Sequence, residues 1–213
     1  MLEIRFDGVS QEFEGREVLH QVTCSFHAGR VTAIAGANGS GKSTLLRIAA
    51  RLMLPSSGTV DTIRDGAPVG GAEYRSMLSM ATPEMELYTR LTVRENLSFL
   101  LSARGAACGE EELKALTARV GLSSEVLSRT AGQLSTGMRQ RVRLAVLLGV
   151  DAEIWLLDEP GLALDERGRA LLMNEVRRAA ECGRLVLWAT NDREEREAAD
   201  ACIDLSCDVS GCL

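Results

Sequence analysis

The chain has 213 residues and a formal net charge of −6, and hydrophobic residues make up 46% of it. These values are typical of one globular domain and argue against a protein that binds nucleic acid through a broad basic face. Aromatic residues account for only 4% of the chain, so base-stacking platforms for single strands are not expected. The N-terminus lacks a basic segment followed by an apolar run, so no secretory signal is expected. Arg or Glu residues interrupt the longest apolar stretches, so no membrane-spanning segment is expected.

The N-terminal segment contains several short strand-like runs. Leu2–Phe6 alternates apolar and polar residues, which predicts a half-exposed strand. Val18–Leu19 and Val22–Phe26 predict two further short strands, and strands this close along the chain favour an antiparallel sheet. Val31–Ala35 predicts a buried strand, and a glycine-rich loop follows it at once.

The remainder of the chain changes from helical to alternating patterns. Residues 84 to 150 are predicted to be mostly helical, with a capping box at Thr92–Glu95. Ile154–Leu157 and Leu185–Ala189 are continuous apolar runs, typical of strands covered on both faces, and a helix is predicted between them at Leu171–Ala180. The pattern predicts an α/β fold in which a helical insertion interrupts a parallel-sheet core.

The glycine-rich loop carries the clearest chemical signal. Its sequence, Gly36-Ala37-Asn38-Gly39-Ser40-Gly41-Lys42-Ser43, matches the phosphate-binding loop (P-loop) pattern in full. Glycines let the backbone curl so that N–H groups point at the phosphates, and the helix that begins at Lys42 adds the positive end of its dipole. Lys42 is predicted to bind the β- and γ-phosphates and the Ser43 hydroxyl to bind Mg²⁺. The predicted nucleotide-binding residues of this segment are Gly36, Ala37, Asn38, Gly39, Ser40, Gly41, Lys42, Ser43 and Thr44.

Two acidic residues follow the apolar strand Ile154–Leu157. Ligands bind at the carboxyl ends of the strands of a parallel sheet, so Asp158 is a predicted Mg²⁺ ligand. Glu159 is the predicted general base for a water that attacks the γ-phosphate. The alternative is a solvated acidic turn before Pro160, which the presence of a P-loop disfavours.

A third motif resembles a known family. Leu134-Ser135-Thr136-Gly137-Met138-Arg139-Gln140-Arg141 is similar to the signature, usually written LSGGQ, of the nucleotide-binding domains of ABC transporters. It precedes Leu156–Pro160 as in that family, and Leu162–Asp165 resembles the family's D-loop. The resemblance covers about residues 2 to 205. The Ser-Thr-Gly-Met form of the signature is similar to that of exporters of drugs, polysaccharides or haem.

The resemblance implies a P-loop NTPase core with a mostly parallel sheet, an N-terminal antiparallel β subdomain and an inserted helical subdomain. One ATP-binding domain would span residues 1–213, with its core at about 1–83 and 151–205 and its helical subdomain at about 84–150. The resemblance further implies an ATPase that uses ATP and Mg²⁺. It also implies that Phe13 stacks on adenine, whereas the residues alone leave open a core aromatic of the N-terminal sheet.

The resemblance also implies partners. Two ATP-binding domains, identical or different, would form a head-to-tail dimer in which the signature binds the ATP held by the other chain. ATP-driven dimerisation would drive membrane-spanning permease subunits, so a cytoplasmic location at the inner face of the cell membrane is expected. The permease would dock near Glu84 to Leu101, where Arg90, Arg94 and Arg104 form either a docking face or an ordinary solvated face. The signature residues are Leu134, Ser135, Thr136, Gly137 and Met138.

Three positions depart from the family pattern. Pro83 stands where a glutamine is usual, and Glu84 would take its place only after a shift of one residue. Asn191 stands at the place of the switch histidine, as a predicted catalytic residue that cannot carry a positive charge or move a proton. Gly161 stands where threonine or serine is common. We therefore expect slow hydrolysis or an asymmetric pair. The alternatives are a nucleotide-dependent regulatory module with little or no turnover, or a soluble ABC ATPase unrelated to transport.

The six cysteines do not form a recognised motif. No two of them have the two-residue gap of a zinc knuckle or redox motif. Cys202, Cys207 and Cys212 are evenly spaced, which leaves a metal site open, but three reduced thiols are the favoured interpretation.

Overall fold

The computed structural model describes residues 1–205 and 210–212, which form two five-stranded sheets. The first, the N-terminal sheet, has the strand order β10-β2-β1-β4-β5, and β1, β2, β4 and β5 pair antiparallel. The central sheet has the order β6-β7-β8-β3-β9, and all its strands run parallel. The strands are β1 Leu2–Phe13, β2 Arg16–His27, β3 Arg30–Ala35, β4 Ser57–Arg64, β5 Ala67–Pro68, β6 Leu78–Ala81, β7 Ile154–Asp158, β8 Leu185–Ala189, β9 Ala201–Asp204 and β10 Ser210–Cys212.

Helices cover the central sheet and fill the long segment between β6 and β7. They are α1 Lys42–Ala49, α2 Gly71–Met77, α3 Val93–Ser102, α4 Glu110–Arg119, α5 Thr136–Gly149, α6 Glu166–Glu181 and α7 Arg193–Glu197, with 3₁₀ turns at Ser124–Ser128 and Ala131–Gln133. The predicted capping box is confirmed: the Thr92 side chain accepts a hydrogen bond from Glu95 N, and the Glu95 carboxylate accepts one from Thr92 N. The predicted α/β P-loop fold is therefore confirmed, with its antiparallel N-terminal sheet and helical insertion.

One expectation about the N-terminal sheet was wrong. The two short strands predicted at Val18–Leu19 and Val22–Phe26 are parts of one strand, β2. Gln21, between them, has a φ of 41°, and its N–H donates a hydrogen bond to Ser10 Oγ over 2.9 Å. This bulge breaks the hydrophobic alternation without ending the strand, because the pairing with β1 resumes on both sides of it.

Helix α1 lies between the two sheets and connects their cores. Its buried residues Leu45, Leu46 and Ile48 belong to one apolar cluster with Ile4 of the N-terminal sheet and Ile34 of β3. Each of these side chains is at most 1% exposed, so the start of α1 has little freedom to move. This packing fixes the loop that precedes α1 against both sheets.

The described residues include no helix that is both long enough and apolar enough to cross a bilayer. Cys202 lies exposed on β9. Cys207 and the side chain of Cys212 lie outside the described residues, so the expectation of reduced thiols stays a prediction.

Candidate functional site

The glycine-rich loop joins β3 to α1, and the backbone angles of its glycines give it its shape. Gly36 and Gly41 have φ values of 144° and 97°, which side chains with a β-carbon rarely adopt. A β-carbon on Gly41 would also lie 2.6 Å from Leu19 Cδ2 and 2.9 Å from the Val18 carbonyl oxygen. The loop is therefore held against β2, and its curvature depends on the glycines that the sequence places there.

Lys42 is turned inward beneath this loop. Its ammonium group donates hydrogen bonds to the carbonyl oxygens of Gly36 and Ala37 over 2.9 and 3.1 Å, and to Asn191 Oδ1 over 2.9 Å. Only 6% of Lys42 is exposed. The hydrogen bonds to surrounding oxygen atoms compensate the cost of burying the ammonium group. The group places a positive charge at the mouth of the loop.

Asn191 connects the loop with the carboxyl end of β7. Its Nδ2 donates hydrogen bonds to Asn38 Oδ1 and to Glu159 Oε1, the latter over 3.0 Å. Glu159 Oε1 lies 3.9 Å from Lys42 Nζ. The predicted catalytic residues Lys42, Glu159 and Asn191, which are distant in sequence, are therefore within hydrogen-bonding or ion-pairing distance of one another.

Asp158 ends β7 and is the most buried carboxylate of this cluster. It is 6% exposed, and its Oδ1 has no hydrogen-bond partner among the described protein atoms. Burial raises the pKa of Asp158, and the charge of Glu84 raises it further, whereas a hydrogen bond from Ser43 and the charges of Arg47 and Lys42 lower it. An orphaned buried oxygen beside a serine hydroxyl is an arrangement that a bound cation would satisfy.

An open cleft of about 570 Å³ leads to the loop. Phe13, at the end of β1, lines it and is 42% exposed, so the alternative expectation of a core aromatic does not hold. Arg16, across the hairpin from Phe13, lines the same cleft. The other residues around the cleft are Val18, Asn38, Gly39, Gly41, Lys42, Ser43, Thr44 and Glu159.

The signature segment lies on a different surface. Ser135 caps the start of α5 and accepts a hydrogen bond from Met138 N over 3.2 Å. A β-carbon on Gly137 would lie 2.7 Å from the carbonyl oxygen of Ala163, so the glycine permits close contact with the loop after Pro160. None of the residues Leu134–Met138 is among those that line the cleft beside the P-loop.

The comparisons with known proteins agree on one family. The sequence profile described as "ABC transporter" matches residues 19–161, which is more than half of the chain. The chain belongs to the ABC transporter family. It is 33% identical over 198 residues to the "Probable multidrug ABC transporter ATP-binding protein YbhF" of Escherichia coli (strain K12), covering 91% of this chain and 34% of that protein.

Other relatives are named for import. The chain is 32% identical over 213 residues to the "Sulfate/thiosulfate import ATP-binding protein CysA" of Brucella melitensis biotype 1, covering 96% of this chain and 59% of that protein. The relatives therefore include proteins named for multidrug transport and proteins named for import. They support membership of the ABC family, but they do not single out the exporter subgroup that the signature resembles. The chain thus spans between about a third and three-fifths of the length of these curated relatives.

Solved structures of ABC ATP-binding cassettes match the fold. The dimeric post-hydrolysis state of the cassette MJ0796 bound to ADP and Pi superposes with a TM-score of 0.81 at 26% identity, covering 94% of this chain and 93% of that one. A putative ABC transporter ATP-binding protein from Pyrococcus furiosus gives a TM-score of 0.81 at 24% identity, covering 96% and 98% of the two chains.

The segment that departs from the ABC pattern before α3 turns at Pro83 and Glu84. Glu84 forms an ion pair with Arg47 of α1, and its charge acts on Asp158. Met85, the next residue, accepts a hydrogen bond from Arg143 Nε over 2.6 Å. Glu84 is therefore paired with α1 and is close enough for its charge to raise the pKa of Asp158.

The sequence analysis assigned no role to two polar residues of α5, Gln140 and Arg143. Gln140 is 4% exposed, and its Nε2 donates a hydrogen bond to the carbonyl oxygen of Pro160 over 2.9 Å. Arg143 Nη1 donates to Gln140 Oε1 over 3.0 Å, so this pair connects Pro160 with the segment at Met85. No local signal marks their contacts, because the partners Pro160 and Met85 lie outside α5.

Ala163, in the loop after Pro160, adopts a left-handed backbone with a φ of 64°. This conformation costs an alanine about 1–2 kcal/mol, whereas glycine adopts it freely. We expect Ala163→Gly to increase the free energy of unfolding by up to about 1 kcal/mol in urea denaturation, because relief of strain outweighs the added entropy of the unfolded chain.

The matched control for this substitution is Ala170→Gly, at an exposed position within α6. A glycine in a helix should lower the free energy of unfolding by about 0.5–1 kcal/mol. Equal losses in the two variants would show that the Ala163 backbone carries no strain.

Proposed function

We propose that this chain binds and hydrolyses ATP as the nucleotide-binding domain of an ABC transporter. The observation that carries the proposal is the hydrogen-bonded cluster of Lys42, Asn191 and Glu159 beside the buried Asp158. One ABC domain would span residues 1–213, with a core at about 1–83 and 151–205 and a helical part at about 84–150. Purified chain should bind ATP in calorimetry with Mg²⁺ present and release phosphate, and absence of ATP binding would sink the proposal.

The triphosphate would lie along the P-loop. Backbone N–H groups of residues 36–43 and the N-terminus of α1 would face the phosphates, and Lys42 would exchange its bonds to Gly36 and Ala37 for bonds to the β- and γ-phosphates. Such charge-assisted hydrogen bonds stabilise a complex by roughly 1.5–3 kcal/mol each.

The residues at the end of β7 fit a magnesium ion. Asp158 Oδ1 and the Ser43 hydroxyl would hold it, and the Glu84 carboxylate lies near enough to influence the charge there. The ion would neutralise charge on the phosphate oxygens. Glu84 would thus compensate for the missing glutamine.

Glu159 would act as the general base. It would take a proton from a water whose oxygen attacks the γ-phosphorus, while the bond from that phosphorus to the β–γ bridging oxygen breaks. Asn191, which donates to Glu159 Oε1, would hold the carboxylate toward this water. The products are ADP and inorganic phosphate.

Phe13 would stack on the adenine base at the open end of the cleft. We expect Phe13→Ala to weaken ATP binding by about 5- to 150-fold in calorimetry, because loss of stacking costs roughly 1–3 kcal/mol. Phe13→Tyr should bind as the wild type does. The melting temperature of the free protein should change little, because the side chain is 42% exposed. Unchanged affinity in Phe13→Ala would remove Phe13 from the site.

The second half of each ATP site would come from a second ATP-binding domain. Ser135 and Gly137, at the start of α5, would contact the γ-phosphate on the other chain's P-loop together with Leu134, Thr136 and Met138. The dimeric MJ0796 cassette supports this arrangement. The pair would work with permease subunits at the inner face of the cell membrane.

The segment Glu84–Leu101 would carry the permease contact. Of the three arginines expected on this face, Arg94 pairs with Glu110, and Arg104 donates to the carbonyl oxygens of Leu78 and Arg75. These two stabilise the chain itself, which leaves the exposed Arg90 as the better candidate for a partner.

Because Asn191 stands in place of the switch histidine, we expect slow ATP hydrolysis. The alternative is an asymmetric dimer with a more complete ATP-binding domain. We expect Asn191→His to raise kcat about 10-fold or more, because imidazole can carry charge and move a proton. Asn191→Ala should lower kcat further, because Glu159 and Lys42 each lose a hydrogen bond. Phosphate release under saturating ATP measures both. Wild-type hydrolysis at ordinary rates that Asn191→Ala leaves unchanged would refute slow turnover. If the chain is instead a regulatory module, every variant should bind ATP and none should release phosphate.

A further inference from the structure

Glu195, on the short helix α7, is a buried carboxyl group to which none of the roles above assigns a purpose. It is 3% exposed, and it accepts a hydrogen bond from the Thr190 hydroxyl. Burial raises the pKa of Glu195, opposed by the bond from Thr190, and the charge of Asp192 raises it further. Burying a carboxyl group costs free energy unless specific contacts compensate for it. The contacts around Glu195 should therefore explain why the group is buried.

The contacts of Glu195 close a ring around Asn191. Thr190 Oγ1 accepts a hydrogen bond from Asp192 N over 3.0 Å. Asp192 Oδ1 in turn accepts bonds from Glu194 N over 2.8 Å and Glu195 N over 3.2 Å, which starts α7 and returns Glu195 toward Thr190. Thr190 and Asp192, on either side of Asn191, are therefore linked to each other and to α7, and the Glu195 side chain is tied to this turn through the Thr190 hydroxyl.

Gly161 faces the other side of the same carboxyl group. A β-carbon there would overlap Glu195 Oε1 and lie 3.0 Å from Glu195 Cδ. Gly161 is buried, and its neighbour Pro160 is held by the bond from Gln140, so the backbone cannot retreat without cost. If Glu195 moved away to make room, the buried Thr190 O–H would lose the acceptor for its hydrogen bond. A glycine at residue 161, where threonine or serine is common, thus leaves the space that the Glu195 carboxyl group occupies.

We propose that Glu195 is a positioning residue for ATP hydrolysis, which holds the turn that carries Asn191 against the segment after Pro160, and that Gly161 is the small residue that admits it. The inference rests on the proposed function, because the placement of Asn191 affects a rate only if the cluster acts on ATP. The carboxyl group acts through Thr190 and the turn, and it does not touch Lys42 or Glu159.

The experiment is a double-variant cycle of Gly161→Ala, Glu195→Ala and the two combined, with Glu195→Gln and the exposed Glu194→Ala as comparisons. Glu195→Ala should lower kcat about 10-fold, with KM and the calorimetric Kd for ATP within about threefold of wild type. Glu195→Gln keeps an acceptor for Thr190 and should restore kcat to within about threefold. Glu194→Ala should behave as wild type.

Gly161→Ala alone should lower both kcat and the melting temperature. Combined with Glu195→Ala, it should add no further loss, with melting temperatures within about 2 °C of each other, because the clash has been removed. Additive losses would overturn the pairing. Wild-type kcat in Glu195→Ala, or equal losses in Glu195→Gln and Glu195→Ala, would overturn the positioning role. A wild-type chain without turnover would refute the proposed hydrolysis and this role in it, while the melting temperatures alone would still decide the pairing.

Discussion

Replacing Lys42 by alanine is expected to weaken binding of ATP with Mg²⁺ by about 10- to 150-fold, because at least one charge-assisted bond worth roughly 1.5–3 kcal/mol is lost. Turnover should fall by about 100-fold or more, since the same ammonium group stabilises the negative charge that develops on the transferred phosphoryl group. Calorimetry measures the first effect and phosphate release under saturating ATP measures the second.

The chain provides a matched control for this substitution in its other lysine, Lys114. Lys114 lies on α4 and pairs with Glu111 over 2.8 Å on the surface. Lys114→Ala should leave ATP affinity and kcat unchanged. Because Lys42 also bonds to Gly36, Ala37 and Asn191, the melting temperature of Lys42→Ala should be recorded to show that it is folded. Equal ATP affinity in a folded Lys42→Ala variant and in wild type would contradict the P-loop assignment.

The second large effect is expected for Glu159→Gln. Loss of the general base should lower kcat by about 10²- to 10⁴-fold, whereas ATP should still bind within about threefold of the wild-type affinity. Glutamine has nearly the shape of glutamate and retains an oxygen that can accept the bond from Asn191. With hydrolysis blocked, the ATP-bound dimer should accumulate, which size-exclusion chromatography or sedimentation can detect.

Glu166→Gln is the control for the loss of one carboxylate. Glu166 is exposed in the first turn of α6, a few residues after the cluster. It should hydrolyse ATP at the wild-type rate and should not trap a dimer. If Glu159→Gln retained wild-type turnover, the base would have to be another group, and the role of Asn191 as the residue that orients Glu159 would fall with it.

The P-loop and the end of β7 could be predicted from the sequence because their chemistry depends on local order. The glycines at 36 and 41 permit backbone angles that few other residues adopt, and Lys42 follows them at the start of a helix. Asp158 ends a continuously apolar strand, and parallel strands deliver such residues to the same edge of a sheet. Hydrophobic periodicity and backbone preference depend on neighbouring residues, so a single sequence is enough to recognise them.

Long-range packing decided two features that the sequence analysis had left open or predicted wrongly. The exposed position of Phe13 depends on where the β1–β2 hairpin meets the P-loop, and the continuity of β2 through Gln21 depends on pairing with β1. Neither can be read from the local pattern, because an exposed aromatic and a core aromatic have the same sequence neighbours.

The sequence by itself determined the P-loop, the acidic end of β7, the order of the motifs and hence the fold class. Only the tertiary structure brought Asn191 to Lys42 across 149 positions of the chain and placed the Glu195 carboxyl against Gly161. The physical reason is that backbone preference and hydrophobic period act between near neighbours, whereas a hydrogen bond or a steric clash between distant residues exists only once the sheets and helices have packed.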